Sequence, residues 1–231
     1  MSLRTKFFAM TYDRQIAGAE KAGLRAFRER LLAEASGEVL EIGGGTGANL
    51  PWYGLAVTSL TITEPQPPML RRLEGSVRTH RPSARVLRAP AEDLPFDDDS
   101  FDVAVSTLVL CGVDDQPRAL RELRRVLRPG GRLLFIEHLR SGDPATARLQ
   151  DRLNWLNRLV VCCDCNRPTL DSIGAAGFTV TQAEHTELPK APPFVRPAVL
   201  GSATAPAAAP RAPQDVGRPT VAPPRAARPA G

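Results

Sequence analysis

Four glycines among five residues, Gly43-Gly44-Gly45-Thr46-Gly47, follow directly on a short apolar stretch of strand character, Val39-Leu40-Glu41-Ile42. That juxtaposition constrains the fold more than any other feature of the chain. Backbone without Cβ atoms can turn sharply and lets a ligand approach the main chain closely. In a sheet of parallel strands, such a turn sits at the carboxyl end of a strand, near the point where strand order reverses, which is where ligands bind. A second strand is predicted over Leu60–Thr63, and it ends at Glu64, about twenty residues after Gly43. A carboxylate there can accept the hydroxyl hydrogens of a ribose. The pattern therefore points to an adenosine-containing ligand. Gly43, Gly45 and Ala48 also satisfy the dinucleotide fingerprint G-x-G-x-x-A, so the turn by itself does not choose between a dinucleotide and another adenosine ligand.

The rest of the chain alternates between strand and helix periodicity. Residues 11–35 read as a helix, with Ile16, Leu24, Phe27, Leu31 and Leu32 on near-helical spacing, ended by Gly37. A helix opening on Pro67 and Pro68 follows the second strand. Further strands are predicted at Arg85–Ala89, Phe101–Ser106 and Leu133–Ile136. The amphipathic segment Arg118–Leu127 lies before the last of these, stopped by Pro129-Gly130-Gly131. Helices near 145–161 and 169–176 and closing strands at Phe178–Thr181 and Val195–Leu200 complete the pattern. The expectation is an α/β, Rossmann-like, mostly parallel seven-stranded sheet with helices on both faces. Three regions are expected: an N-terminal helical lid over 1–36, the ligand-binding domain over 37–201, and a Pro/Ala-rich disordered tail over 202–231. The tail holds four arginines against one aspartate, so it accounts for most of the formal +5 charge. Without aromatic side chains it offers no stacking platform, and nucleic acid is not expected as a partner.

The ordered set Ala91-Glu92-Asp93-Leu94-Pro95-Phe96, Asp98-Asp99-Ser100-Phe101-Asp102 and Leu120 through Pro129-Gly130-Gly131 resembles the class I S-adenosylmethionine (SAM)-dependent methyltransferases, especially the UbiE type, over about residues 38–138. A nicotinamide dehydrogenase would need a substrate domain, for which little chain follows the fifth strand, or a Tyr-x-x-x-Lys arrangement, which the sequence lacks, so that activity is not expected. A closer similarity, through Thr107-Leu108-Val109-Leu110-Cys111, Glu137-His138, Asn166-Arg167 and Val195-Arg196-Pro197, is to a bacterial branch related to the animal thiol S-methyltransferases. The resemblance implies SAM as cofactor. It assigns cofactor binding to Glu41, Gly43, Gly44, Gly45, Gly47, Glu64, Pro65, Ala91, Glu92 and Thr107. Pro90 stands where many relatives carry an aspartate for the adenine amino group, which passes that work to Glu92 or to backbone. Tyr12-Asp13 is similar to a pair in the lid of UbiE-like relatives.

Methyl transfer from a sulfonium mainly needs a nucleophile held in line and water kept out. His138, at the end of the fifth strand, is the one tentative catalytic residue, as a base or an orienting group for an acceptor. His80 and His185 are expected on the surface, and Asp97, Asp98 and Asp99 in a solvated turn. Cys111 is expected as a small buried filler. Cys162, Cys163 and Cys165 lack the spacing and the matching pair of a zinc knuckle, so no metal is expected. Trp52, Trp155, Phe194 and the Pro189–Pro193 loop are placed on the acceptor side.

No apolar run is long enough for a membrane span or a signal peptide, so a cytoplasmic protein is expected. A counterpart of the animal enzymes' N-terminal membrane anchor is likewise not expected. Phe7 and Phe8 beside Arg4 and Lys6 leave room for peripheral membrane contact. The expected function is transfer of a methyl group from SAM to a small-molecule acceptor, with a thiol suggested. The alternatives are a quinone- or lipid-like acceptor and a SAM-binding protein without turnover.

Overall fold

The computed structural model describes residues 12–14 and 16–207. Seven strands form one sheet: β1 (Gly37–Ile42), β2 (Val57–Thr63), β3 (Arg85–Leu87), β4 (Phe101–Thr107), β5 (Leu127–His138), β6 (Thr179–Glu187) and β7 (Pro197–Thr204). Their order is β3-β2-β1-β4-β5-β7-β6. All neighbours are parallel except β7, which runs antiparallel to both β5 and β6. Glu41 of β1 lies opposite Ile62 of β2 and Val105 of β4. The chain winds outward from β1 through β2 and β3, then returns to β4 on the other side. The reversal therefore falls between β1 and β4, at the end of β1 that carries the glycine turn.

Successive strand residues face opposite sides. Leu40, Ala104, Leu133 and Phe135 face one layer, packed with Leu120, Leu123 and Ile173 from helices α3 (Gln116–Val126) and α5 (Thr169–Ala175). Val39, Val103, Val105, Leu134 and Ile136 face the other, with Leu24, Leu31, Leu73 and Val77 from the N-terminal helix and α2 (Pro67–His80). Helix α3 starts where the Asp115 carboxylate accepts the Arg118 amide at 2.9 Å, and α4 (Pro144–Val161) where Asp143 accepts that of Thr146 at 2.8 Å.

Several expected boundaries move. The N-terminal helix is interrupted by a π-helical turn, Glu20–Leu24, before continuing as α1 (Arg25–Leu32). Gly23 sits in that turn at φ 142°, a conformation no regular helix holds. Gly37 opens β1 instead of closing the helix. Pro129-Gly130-Gly131 lies inside β5, because the chain is already extended at Leu127, where ψ is 134°. The expected third strand is shorter, and β6 is much longer than Phe178–Thr181. Strand β7 overruns the expected boundary at 201/202: Ser202 and Ala203 are buried in it, opposite Leu134 and Leu133 of β5. A strand in the middle of the sheet needs partners on both sides, and these residues supply them. The remaining tail, 208–231, and Arg4, Lys6, Phe7 and Phe8 lie outside the described residues. Among the described residues no helix is long and apolar enough to cross a membrane.

Candidate active site

The glycines of the turn divide into two uses. A Cβ on Gly44 would fall 2.3 Å from Ile62 Cγ2, so that position is closed by strand β2. A Cβ on Gly45 would meet only the Gly43 carbonyl oxygen, at 3.9 Å, although φ there is +58°. Gly44 is a packing requirement, and Gly45 leaves open space where a ligand can lie against backbone. Glu64, at the end of β2, closes this space from the side. Its Oε2 accepts the Gly45 amide at 3.0 Å and its Oε1 accepts the Gln66 amide at 2.8 Å. Burial raises the Glu64 pKa, opposed by those two amide donors. Each carboxylate oxygen has a further lone pair for a hydroxyl donor. An uncovered turn beside a fixed carboxylate fits the adenosyl amino acid that the sequence implies.

The crevice is bordered by Tyr12, Arg28, Glu41, Gly45, Asn49 and Thr107. Glu41 points to the same face of β1 as Val39 and is buried. Its carboxylate accepts the Tyr53 hydroxyl at 2.7 Å and the Asn49 amide at 2.9 Å. Burial lifts its pKa from 4.5 to about 7, against the pull of those two donors and of Arg28. Arg28 is only 2% exposed. It donates to Glu20 Oε1 at 3.0 Å, to Asn49 Oδ1 at 2.9 Å and to Thr107 Oγ1 at 3.1 Å. Arg28, Asn49 and Tyr53 were not singled out from the sequence as site residues. A signal existed for Arg28, which lies four residues after Leu24 and three before Leu31, on the buried stripe of its helix. A cation on such a stripe calls for partners.

The expected lid pair reaches the same place. Asp13 accepts the Thr46 hydroxyl at 2.7 Å and pairs with Arg72, which ties the N-terminal helix to the glycine turn. Tyr12 is half-buried, and burial pushes its hydroxyl pKa up to about 12.

Other expected residues have partners of their own. Glu92 Oε1 accepts the amides of Asp114 and Asp115 at 2.9 and 3.3 Å, so this carboxylate is engaged at the start of α3. Ala91 is buried in the core beneath α3, and the Pro65 carbonyl accepts Arg88 Nε at 3.2 Å. These three, like Glu64 itself, lie outside the small part of the crevice directly around Gly45. Trp52 packs against the core beneath α2, Phe194 is half-buried, and Trp155 is 65% exposed on α4. His80, His185 and Asp97 to Asp99 are exposed, as expected. A wider groove, lined by Asp98, Arg121, Arg125 and Pro129, opens at the opposite edge of the sheet, away from the carboxyl ends of β1 and β4.

His138 ends β5 and is buried. Its Nδ1 lies 3.4 Å from Cys111 Sγ and 3.6 Å from Cys163 Sγ. The Cys111 thiol is pushed up by its hydrogen bond to Cys163 and by burial. The Cys163 thiol is pulled down by the same bond and by His138, against its own burial. Cys111 is a small buried side chain, as expected, and it also lies beside His138. Cys162 caps α4 and Cys165 lies against Asn154, so only one residue of the three-cysteine cluster joins this group.

The segment from Thr107 to Cys111 runs from the crevice to these sulfurs. Its turn places Leu108 at φ 60°, a costly conformation for a branched side chain. The buried Glu137 carboxylate holds it, accepting the Ser106 hydroxyl at 2.6 Å and the amides of Val109, Leu110 and Cys111 at 2.9, 3.0 and 3.2 Å.

Comparison with known proteins agrees with this geometry. Residues 40–135 match the family model described as a methyltransferase domain. The chain is 32% identical over 213 residues to thiol S-methyltransferase TMT1A of Homo sapiens, covering 85% of this chain and 82% of that protein. It is 33% identical over 137 residues to the ubiquinone/menaquinone biosynthesis C-methyltransferase UbiE of Hahella chejuensis, covering 57% of this chain and 51% of that one. Among solved structures, a SAM-dependent methyltransferase from Thermotoga maritima superposes with a TM-score of 0.64 at 24% identity. It covers 89% of this chain and all of its own, a likeness of fold. With the strand order, the glycine turn and Glu64 in place, these matches show that the chain belongs to the class I SAM-dependent methyltransferases and is a relative of the thiol S-methyltransferases.

Proposed function

We propose that this methyltransferase acts on the sulfur of small thiols and that its cofactor lies between the glycine turn and Glu64. The observation that carries the cofactor placement is the open space above Gly45, walled by a carboxylate that two backbone amides hold in position. Gly43, Gly45 and Gly47 supply backbone contacts, and Glu64 takes the ribose hydroxyls. Glu41 and Arg28 frame the amino-acid end through Asn49 and Thr107. SAM, when bound, supplies a methyl group on a positively charged sulfur. The chain's task is then to orient an acceptor in line with that group and to exclude water, which supplies roughly 7–11 kcal/mol in well-aligned systems. Asp13 and Tyr12, brought over the turn by the N-terminal helix, cover the crevice.

The thiol reading rests on how far the likeness extends. The match to UbiE covers little more than half of this chain, whereas the match to the thiol S-methyltransferase continues through most of it. A quinone- or lipid-like acceptor is the second reading. It is favoured by an apolar stripe on α4, where Trp155, Leu156, Leu159 and Val160 are exposed.

The test is a turnover assay with SAM and a panel of alkyl thiols, a reduced quinone and a phospholipid amine, read by S-adenosylhomocysteine release and by mass of the product. Methyl sulfides formed from simple thiols support the proposal. Product from the quinone or the lipid alone replaces it with the second reading. SAM binding without release from any acceptor leaves a binding protein.

A further inference from the structure

Three elements bring their ends together behind the crevice. Cys111 comes from the loop after β4, His138 from the last residue of β5, and Cys163 from the segment after α4. The side-chain donor atoms of these three lie within 4.8 Å of one another, and all three residues are buried. We propose that Cys111, His138 and Cys163 form a binding site for a thiophilic divalent ion of the zinc class, with its fourth position open to a sulfur ligand from solution.

The distances suit such an ion. Tetrahedral zinc, with bonds of about 2.3 Å to sulfur and about 2.0–2.1 Å to nitrogen, places nitrogen and sulfur about 3.5 Å apart. His138 Nδ1 stands 3.4 Å from one sulfur and 3.6 Å from the other. Two thiolates and an imidazole are a donor set that soft divalent ions prefer, and three protein ligands are what a site with one exchangeable position requires.

The surroundings hold the three donors where they are. The Asp164 amide donates to the Cys111 carbonyl at 2.8 Å, which locks the two cysteine-bearing segments together. Arg167 ties the same segments by donating to the Leu110 and Val113 carbonyls at 2.9 and 2.7 Å. Glu137 fixes the Cys111 amide, and the Thr169 hydroxyl donates to the His138 carbonyl at 3.0 Å. Asn157 Nδ2 lies 3.3 Å from Cys163 Sγ, an outer hydrogen bond of the kind that supports a metal thiolate. The sequence concealed this group because its members lie 27 and 25 residues apart and only one comes from the cysteine cluster.

The open position is the one part of this inference that rests on the thiol reading. An acceptor thiol entering it would lose its proton to solvent and present a thiolate. Methyl transfer would then form the S–CH3 bond as the donor's sulfonium–carbon bond breaks, with the bonding pair leaving on the donor sulfur.

The test uses the full chain, stripped of metal and kept reduced, titrated with Co2+. One equivalent should produce tetrahedral d–d bands and thiolate-to-cobalt charge transfer, and Zn2+ should bleach both. Cys111→Ser and Cys163→Ser should each weaken the charge-transfer band and the double variant should abolish it, while Cys162→Ser keeps it. Zinc-edge X-ray absorption on the unaltered protein needs no variant, and should show two sulfur neighbours and one nitrogen from the chain. Adding 2-mercaptoethanol should shift the cobalt spectrum.

Binding below one equivalent, an ion that survives both cysteine substitutions, or a Cys111–Cys163 disulfide in its place would overturn the site. A bound ion with no response to added thiol would overturn the open position. Methylation of thiols by protein proven metal-free would leave the proposed function standing and remove the ion from it.

Discussion

The Gly45 amide donates to Glu64 Oε2 at 3.0 Å, so the glycine turn and the end of strand β2 are joined by a charge-assisted bond at the mouth of the crevice. The carboxylate that is proposed to grip the ribose also fixes the backbone beside it. Glu64→Ala should weaken SAM binding by about 1–3 kcal/mol, the usual loss for a hydrogen bond to a charged group. Calorimetric titration with SAM measures it directly. An unchanged affinity would remove Glu64 from the ribose.

Gly45→Val and Gly44→Val should fail in different ways. Above Gly45 there is room for a side chain, so the valine variant should fold, at a cost of about 1–2 kcal/mol for its left-handed backbone, and lose SAM binding. At Gly44 the new Cβ collides with Ile62 in the core, and the expected result is loss of the folded state. Thermal unfolding followed by circular dichroism, alongside the calorimetry, separates the two. A Gly45→Val protein that binds SAM normally would contradict the placement of the cofactor.

Glu41 makes stability depend on pH. Its pKa is raised from 4.5 to about 7, so the folded chain holds a proton that the unfolded chain releases. Between those values each rise in pH favours unfolding, with a total loss of about 3 kcal/mol attributable to this group. The effect is complete above pH 7 and vanishes below 4.5. Urea unfolding at pH 5 and pH 8 should show the stability gap between wild type and Glu41→Gln shifting toward the variant at the higher pH. A gap that is constant across that range would show that Glu41 ionises as freely in the fold as in the unfolded chain.

Truncation should be tolerated only beyond the end of β7. A chain ending at Ala207 keeps every strand pair of the sheet and should retain its unfolding midpoint and activity. A chain ending at Gly201 loses Ser202, Ala203 and Thr204, which pair with Leu134, Leu133 and Arg132 on one side and with residues of β6 on the other. Lost backbone hydrogen bonds and buried contacts should cost at least about 2 kcal/mol. Equal stability of the two truncated proteins would contradict this account.

The parts of the fold legible in the sequence were those with short-range signals. The strand before Gly43, the prolines opening α2 and the acidic end of β2 each announce themselves within a few residues. The end of β7 did not, because Gly201-Ser202-Ala203-Thr204 has little strand propensity and is strand only because β5 and β6 flank it. Pro129-Gly130-Gly131 reads as a stop, yet it lies within β5 at the sheet's amino edge. The same division holds at the site. Gly45 and Glu64 followed from spacing, whereas Arg28, Asn49 and Tyr53 come together only through folding. Glu92 has the right position in the chain, but its carboxylate is taken up by the amides that open α3.

Glu137 receives four hydrogens from one short stretch of chain and holds Leu108 in a conformation it would not choose alone. The stretch of chain that links crevice and thiols is therefore cast before any guest arrives, and an incoming molecule spends none of its binding energy in shaping it. Discrimination among guests then rests on the side chains that border this fixed template, Tyr12 and Arg28 of the N-terminal helix among them.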